Sequence, residues 1–108
     1  MIHPRTIPRR GPATIPPEEW RNASYRQFLR EECRCVVCHR FGCDPAHGPA
    51  NGTSSKGPDA GCIPLCRAHH DEQTGIGWPA FEQRHRIDRE REAEAHWALF
   101  LIYQESLA

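Results

Sequence analysis

Two short pairs of metal-ligand residues constrain this chain more than anything else in it. Cys35-Val36-Val37-Cys38 and Cys66-Arg67-Ala68-His69 stand 27 residues apart, within a total of six Cys and seven His in 108 residues. A chain of this length has room for one domain, and with 38% hydrophobic residues its core alone is modest. Small domains of this kind are stapled by disulfides or by metal. Residues 1–20 hold five prolines and no apolar run, so no secretory signal is expected. The longest apolar run, over 97–103, is seven residues, far short of a membrane span. The expectation is a soluble cytoplasmic protein with no membrane partner, in which thiols stay reduced and metal outranks disulfide.

The spacing has a physical reason. A C-x2-C turn aims two thiolates at one point, and Cys66 and His69 share a face if they lie at i and i+3 of a helix. Zinc takes thiolate and imidazole tetrahedrally, so Cys35, Cys38, Cys66 and His69 would close a structural site. A knuckle, a β-hairpin and a helix carrying the second pair make a treble-clef module. The competing reading is reduced structural cysteines without metal, and His39, next to Cys38, is a candidate alternative ligand. Cys33, Cys43 and Cys62 are expected to be small buried residues.

Around this core the chain reads as a Pro/Arg-rich flexible arm over 1–20 and one domain over 21–108, with a zinc and catalytic core at 33–75 and helices within 79–107. Pro17 followed by Glu18 and Glu19 looks like a helix start. Asn22 or Ser24 can cap a helix to about Glu32, with Tyr25, Phe28 and Leu29 on one face. A strand is predicted over 62–65, an exposed loop over 47–59, and a helix over 65–74 ending at Gly75. A short helix over 79–86 and a longer one from an Asp88 cap to about Ser106 follow. In the last helix His96, Phe100, Tyr103 and Leu107 share a face, with Trp97 and Leu101 beside them, as core packing.

The zero net charge hides two opposed halves. Residues 1–42 hold eight Arg against four Glu, and residues 43–108 hold six basic against ten acidic residues. Neutrality therefore excludes a histone-like protein but not a nucleic-acid partner. Arg21, Arg26, Arg30 and Lys56, the only Lys, are candidate phosphate contacts.

A structural zinc module has no need of His47 or His70. On a helix, neighbours differ by about 100° in direction, so His70 should turn from the zinc toward the hairpin and His47, near Asp44, Asp59 and Asp71. At this point the sequence resembles the HNH endonucleases, in their small phage and prophage form. The resemblance rests on Asp44-Pro45-Ala46-His47, a Gly-rich loop, Lys56-Gly57-Pro58-Asp59, and Ile63-Pro64-Leu65-Cys66-Arg67-Ala68-His69-His70. The C-x2-C and the Tyr25-x-x-Phe28-Leu29 helix belong to it too, and it covers 25–87.

The resemblance implies an α+β fold with a zinc-stabilised ββα-metal core, flanking helices and DNA as partner. It implies that His47 is the general base, that His70 helps hold a catalytic divalent cation (Mg2+, Mn2+, Ni2+ or Zn2+), and that Asp59 positions the site. The sequence departs from the family at Ala46, where Asp or His usually binds the cation, and at Thr74, where many relatives have a His. Asp44 is the expected replacement ligand. The alternatives are a zinc-stabilised nucleic-acid-binding module that cuts nothing, and an interaction protein with the last helix as its contact face.

Overall fold

The computed structural model describes residues 15–49 and 56–107. In chain order these form α1 (Pro17–Trp20), α2 (Ala23–Glu32), β1 (Cys43–Ala46), a 3-10 turn (Asp59–Gly61), β2 (Ile63–Cys66), α3 (Arg67–Ile76), α4 (Trp78–His85) and α5 (Arg89–Leu107). The result is a small α+β fold around a two-stranded antiparallel sheet, with Cys43 opposite Cys66 and Ala46 opposite Ile63. The arm expected over 1–20 falls outside the described residues up to 14. Its last residues are helical in α1, where Pro17 opens the turn and Glu18 and Glu19 complement the dipole.

Local sequence explains most boundaries. Asn22 caps α2 by accepting the Tyr25 N–H at 2.9 Å. Asp88 caps α5 in the same way, accepting from the Arg91 N–H at 3.1 Å. The strand expected over 62–65 sits one residue later, and α3 begins at Arg67 rather than 65 because Leu65 and Cys66 stay in the sheet ladder. Gly75 does not end α3. Gly77 does, at φ 84, with its N–H on the Gln73 carbonyl at 2.8 Å. That left-handed backbone suits glycine, and one residue both stops α3 and precedes α4.

Two packed clusters flank the sheet. The first joins the cysteine knuckle to the hairpin and α4 through Cys35, Ala46, Ile63, Leu65 and Phe81. The second sets α2 against α5. Tyr25 meets Trp97 and Phe100 edge-on, with ring centroids at 5.0 and 5.2 Å, and Phe28 packs on Tyr103 at 4.9 Å. Cys33 and Cys62 are buried in this cluster and Cys43 in the first, as small-residue packing requires. The stripe expected on α5 is only partly core. Phe100 is buried, but Leu101, about 100° round the helix from it, and Leu107, the last residue of α5, are exposed.

The loop expected over 47–59 is closed at its base. Pro49 bridges Lys56, and the Gly57 N–H bonds to the Gly48 carbonyl at 2.8 Å. A Cβ on Gly57 would lie 2.8 Å from that same oxygen, so only glycine fits. Residues 50–55 of the loop lie outside the described residues. Asp59, expected in an exposed loop, is instead buried at 1% exposure, because the 3-10 turn folds it under α2.

Candidate functional site

The cysteine knuckle turns through His39 at φ 64 and closes with the Cys35 N–H on the Arg40 carbonyl at 2.9 Å. The Val36 N–H bonds to the Pro64 carbonyl at 3.1 Å, which fastens the knuckle to β2. His39 itself is exposed and outside the cluster. Cys66 ends β2 and His69 lies on the first turn of α3, so three elements deliver four donors to one point.

The Cys38 and Cys66 Sγ atoms are 3.7 Å apart, and His69 Nδ1 is 3.2 Å from Cys66 Sγ and 3.7 Å from Cys35 Sγ. A tetrahedral site with bonds of about 2.3 Å has edges of roughly 3.8 Å, so these separations fit such a site. Burial acts to raise the Cys35 thiol, but donors around its sulfur, led by the backbone N–H groups, bring it down to about 7. Burial pushes the Cys66 thiol up. The four side chains can hold a zinc-like ion.

Two further groups of candidate donors lie among the described residues. His69, Glu72 and His85 cluster on the α3–α4 side, where the Glu72 oxygens take Arg84 at 2.7 Å and His85 at 2.8 Å. These two partners hold the Glu72 carboxyl below the usual range. The other group is His47, Asp59 and Cys62. Burial, reinforced by the charge of Asp59, pushes the Cys62 thiol up to about 12, so it offers no thiolate.

Beside the cysteine cluster runs a groove of about 750 Å³, lined by Asp44, His47, Lys56, Arg67, His70 and Trp78 among others. His47 follows β1 directly, and its carbonyl accepts the Trp78 indole N–H at 3.1 Å. Its Nε2 lies 2.7 Å from Asp59 Oδ1. Burial acts to raise the Asp59 carboxyl, but the Asn22 N–H, the His47 bond and the Arg26 charge outweigh it and hold it below the usual carboxylate range. An ionised carboxylate only accepts, so His47 Nε2–H is the donor, and in the neutral form of the ring the lone pair is then on Nδ1.

His70 stands 3.1 Å from Asp44, Nδ1 to Oδ2, and Arg67 Nη2 reaches the same oxygen at 2.6 Å. The structure therefore brings together two His–carboxylate pairs on one groove. Asp71 does not join them; it is exposed and pairs with Arg67 at 3.1 Å. Ala46, at the position before the expected base, is fully buried opposite Ile63 and cannot reach a ligand.

Of the candidate phosphate contacts, Arg21, Arg26 and Lys56 line a recess of about 350 Å³ beside His47 and Asp59. Arg30 is exposed on α2 and lines neither space. Arg26 is bonded to Asp59 Oδ2, and it also lines the groove. Sequence reasoning missed that pair, the Arg67 contact on Asp44 and the Trp78 bond. Only Arg67 left a signal, its i,i+4 spacing to Asp71 beside a candidate ligand.

The described residues thus form a small α+β protein with a Cys3His cluster able to hold a zinc-like ion. Neither a family model, nor a curated protein, nor a solved structure matches the chain. Among the described residues no helix is long and apolar enough to cross a membrane.

Proposed function

We propose that this protein is a metal-dependent endonuclease of the HNH kind that hydrolyses DNA phosphodiester bonds, with structural zinc on Cys35, Cys38, Cys66 and His69. One observation carries the reading. His47, with its Nε2 fixed on a buried carboxylate, shares a groove with the His70–Asp44 pair and with basic side chains. The order β1, β2, α3 also follows the ββα arrangement that the sequence resemblance implies.

In this mechanism His47 Nδ1 takes a proton from water, and the resulting hydroxide attacks phosphorus. Asp59 holds the ring and stabilises the imidazolium as it forms. The bond from phosphorus to the leaving 3′ oxygen then breaks. A divalent cation (Mg2+, Mn2+, Ni2+ or Zn2+) on His70 and Asp44 would neutralise charge on the phosphate and the leaving oxygen. The two donors are now joined by a hydrogen bond of 3.1 Å, so a cation would take the place of that proton and of the Arg67 contact on the same oxygen. Arg21, Arg30 and Lys56 are assigned to phosphates along the strand, where they position the duplex without reading its sequence.

A second reading, a nucleic-acid-binding module without hydrolysis, is favoured by one fact. Asp44 already carries Arg67, and buried Ala46 supplies no third ligand. The test is nicking of supercoiled plasmid by zinc-loaded protein in Mg2+, Mn2+ or Ni2+, beside His47→Ala. Loss of nicking by about 100-fold or more in the variant is the expected result. Equal nicking by both proteins overturns the mechanism. No cutting in any metal with salt-sensitive DNA binding selects the binding module, and no DNA binding at all selects an interaction protein.

A further inference from the structure

Arg26 looks in the sequence like one more phosphate contact, but its surroundings give it another task. Its guanidinium is bonded to Asp59 Oδ2. The same oxygen accepts the Asn22 N–H at 2.7 Å, and Oδ1 takes His47 Nε2 at 2.7 Å. A carboxylate at 1% exposure is thus met by three donors, two of them from the first turn of α2 and its cap. That end of α2 is itself pinned. Asn22 closes the cap on Tyr25, and the buried Tyr25 hydroxyl donates to the Cys62 carbonyl at 2.9 Å, immediately after the turn that carries Asp59.

We propose that Arg26 is a positioning residue that acts through Asp59 to hold the His47 ring in the orientation and tautomer that leave Nδ1 facing the groove. The proposal rests on the reading of His47 as base, but the geometry behind it does not depend on any catalysis. Without Arg26 the buried carboxylate would keep the Asn22 N–H and His47 but lose its guanidinium partner, and so poorly compensated it could swing or recruit water. With Arg26 and the Asn22 N–H on one oxygen, the other oxygen has one direction left, toward His47. This is the arrangement by which a carboxylate fixes an imidazole from behind.

Other charged groups surround the pair. Arg21 and Lys56 line the recess, Arg89 of α5 bonds to the Gly61 carbonyl at 3.3 Å, and Asp44, Arg67 and His70 lie across the groove. Among these, neither Arg21, Lys56 nor Arg89 is bonded to Asp59, whereas Arg26 is. Arg21 and Lys56 thus keep the role of attracting phosphate, and Arg26 is set apart from them.

The test uses the zinc-loaded full chain labelled with 15N, with His47→Gln to assign the ring signals. In the parent protein the His47 ring is expected to show protonated Nε2 and unprotonated Nδ1. Arg26→Ala should give a mixture of tautomers or an exchange-broadened ring, and Arg26→Lys should restore the parent pattern. Arg26→Gln keeps a donor without charge and serves if Arg26→Ala fails a thermal melt. In plasmid nicking, kcat should fall on the order of 10- to 100-fold with KM nearly constant, because loss of orientation removes part of what a general base supplies. In an Asp59→Asn background the Arg26 substitution should have no further effect.

An unchanged His47 spectrum in Arg26→Ala and Arg26→Gln, with a rise in KM and a weaker salt dependence, makes Arg26 a phosphate contact and overturns the proposal. The ring spectrum is read without substrate. A chain that cuts nothing but shows the tautomer change refutes the nuclease reading and leaves the Arg26–Asp59–His47 link standing.

Discussion

Replacing Cys38 by Ser tests the metal centre with least disturbance to anything else. Cys38 is only half-buried, whereas Cys35 and Cys66 are part of the core, so its loss removes a ligand without opening a cavity. The cluster around it has few large side chains. Ile63, Leu65 and Phe81 are its fully buried ones, worth about 2 kcal/mol each or roughly 6 kcal/mol together before any entropy cost. Cys and Ala fill most of the remainder. Structural zinc contributes on the order of 10 kcal/mol in small domains, more than those three side chains. Forfeiting one ligand in four, about 2.5 kcal/mol, lowers Tm by roughly 12 °C at about 5 °C per kcal/mol. Circular dichroism melts of metal-loaded protein, with zinc content by mass spectrometry, measure both quantities. His47→Ala is the control: it should keep its zinc, and since it loses one hydrogen bond to the Asp59 carboxylate, worth about 1.5 kcal/mol, its Tm should fall by only about 8 °C. A Cys38→Ser protein that keeps one zinc per chain and the parental Tm refutes the ligand assignment. One that loses zinc but keeps its Tm refutes the claim that metal holds this half together.

Two further outcomes follow from the charge and thiol environments. The Asp59 carboxyl is held low in the folded protein, so its contribution to stability is present above the unfolded value of about 3.9 and is lost as pH falls through the folded value. Urea melts from pH 7 to 3 should therefore show a steeper acid loss in the parent than in Asp59→Asn, and parallel curves would contradict the assignment. Burial pushes the thiols of Cys33 up to about 11 and of Cys43 and Cys62 up to about 12. At pH 7.5 they should resist iodoacetamide in native protein, while Cys38, the half-buried thiol of the metal cluster, should be alkylated ahead of them after chelation. Mass spectrometry of the labelled peptides reads the order, and early labelling of Cys62 would refute it.

The parts of the fold legible in the sequence are those set by local chemistry. The Asn22 and Asp88 caps, the Pro17 start and the C-x2-C spacing act within a few residues, and each sits where local rules place it. Boundaries moved where a tertiary demand competed with a local one. Gly75 was an available stop for α3, but Gly77 is the residue whose backbone also turns the chain into α4. Leu107 fits the helical period of Phe100, yet period says nothing of how far the packing extends, and Leu107 is exposed at the last residue of α5, while Leu101 turns about 100° away from Phe100. The site shows the same division. Asp44 and His70 were brought into one reading by family resemblance, and they meet across β1 and α3. The Arg67 and Trp78 contacts depend on crossing elements with no sequence spacing to mark them.

The two clusters together explain why so small a chain can offer a groove at all. His70 follows His69 in α3, so the same cysteine cluster that fixes His69 also fixes the direction of His70 and, through it, Asp44. His47 is placed from the other side. Its carboxylate partner is held by α2, and α2 packs on α5 through its aromatic rings and on the hairpin through β1. The two halves of the proposed chemistry thus draw first on different clusters, which meet at the hairpin. Loss of metal should disorganise the His70–Asp44 half first, and Phe100→Ala, which removes about 3–5 kcal/mol from the aromatic cluster, should act first on Asp59 and His47. The ring signals of His47 and His70, followed separately under chelation and in Phe100→Ala, distinguish this arrangement from a single core on which both depend. Simultaneous loss of both signals under both perturbations would favour the single core.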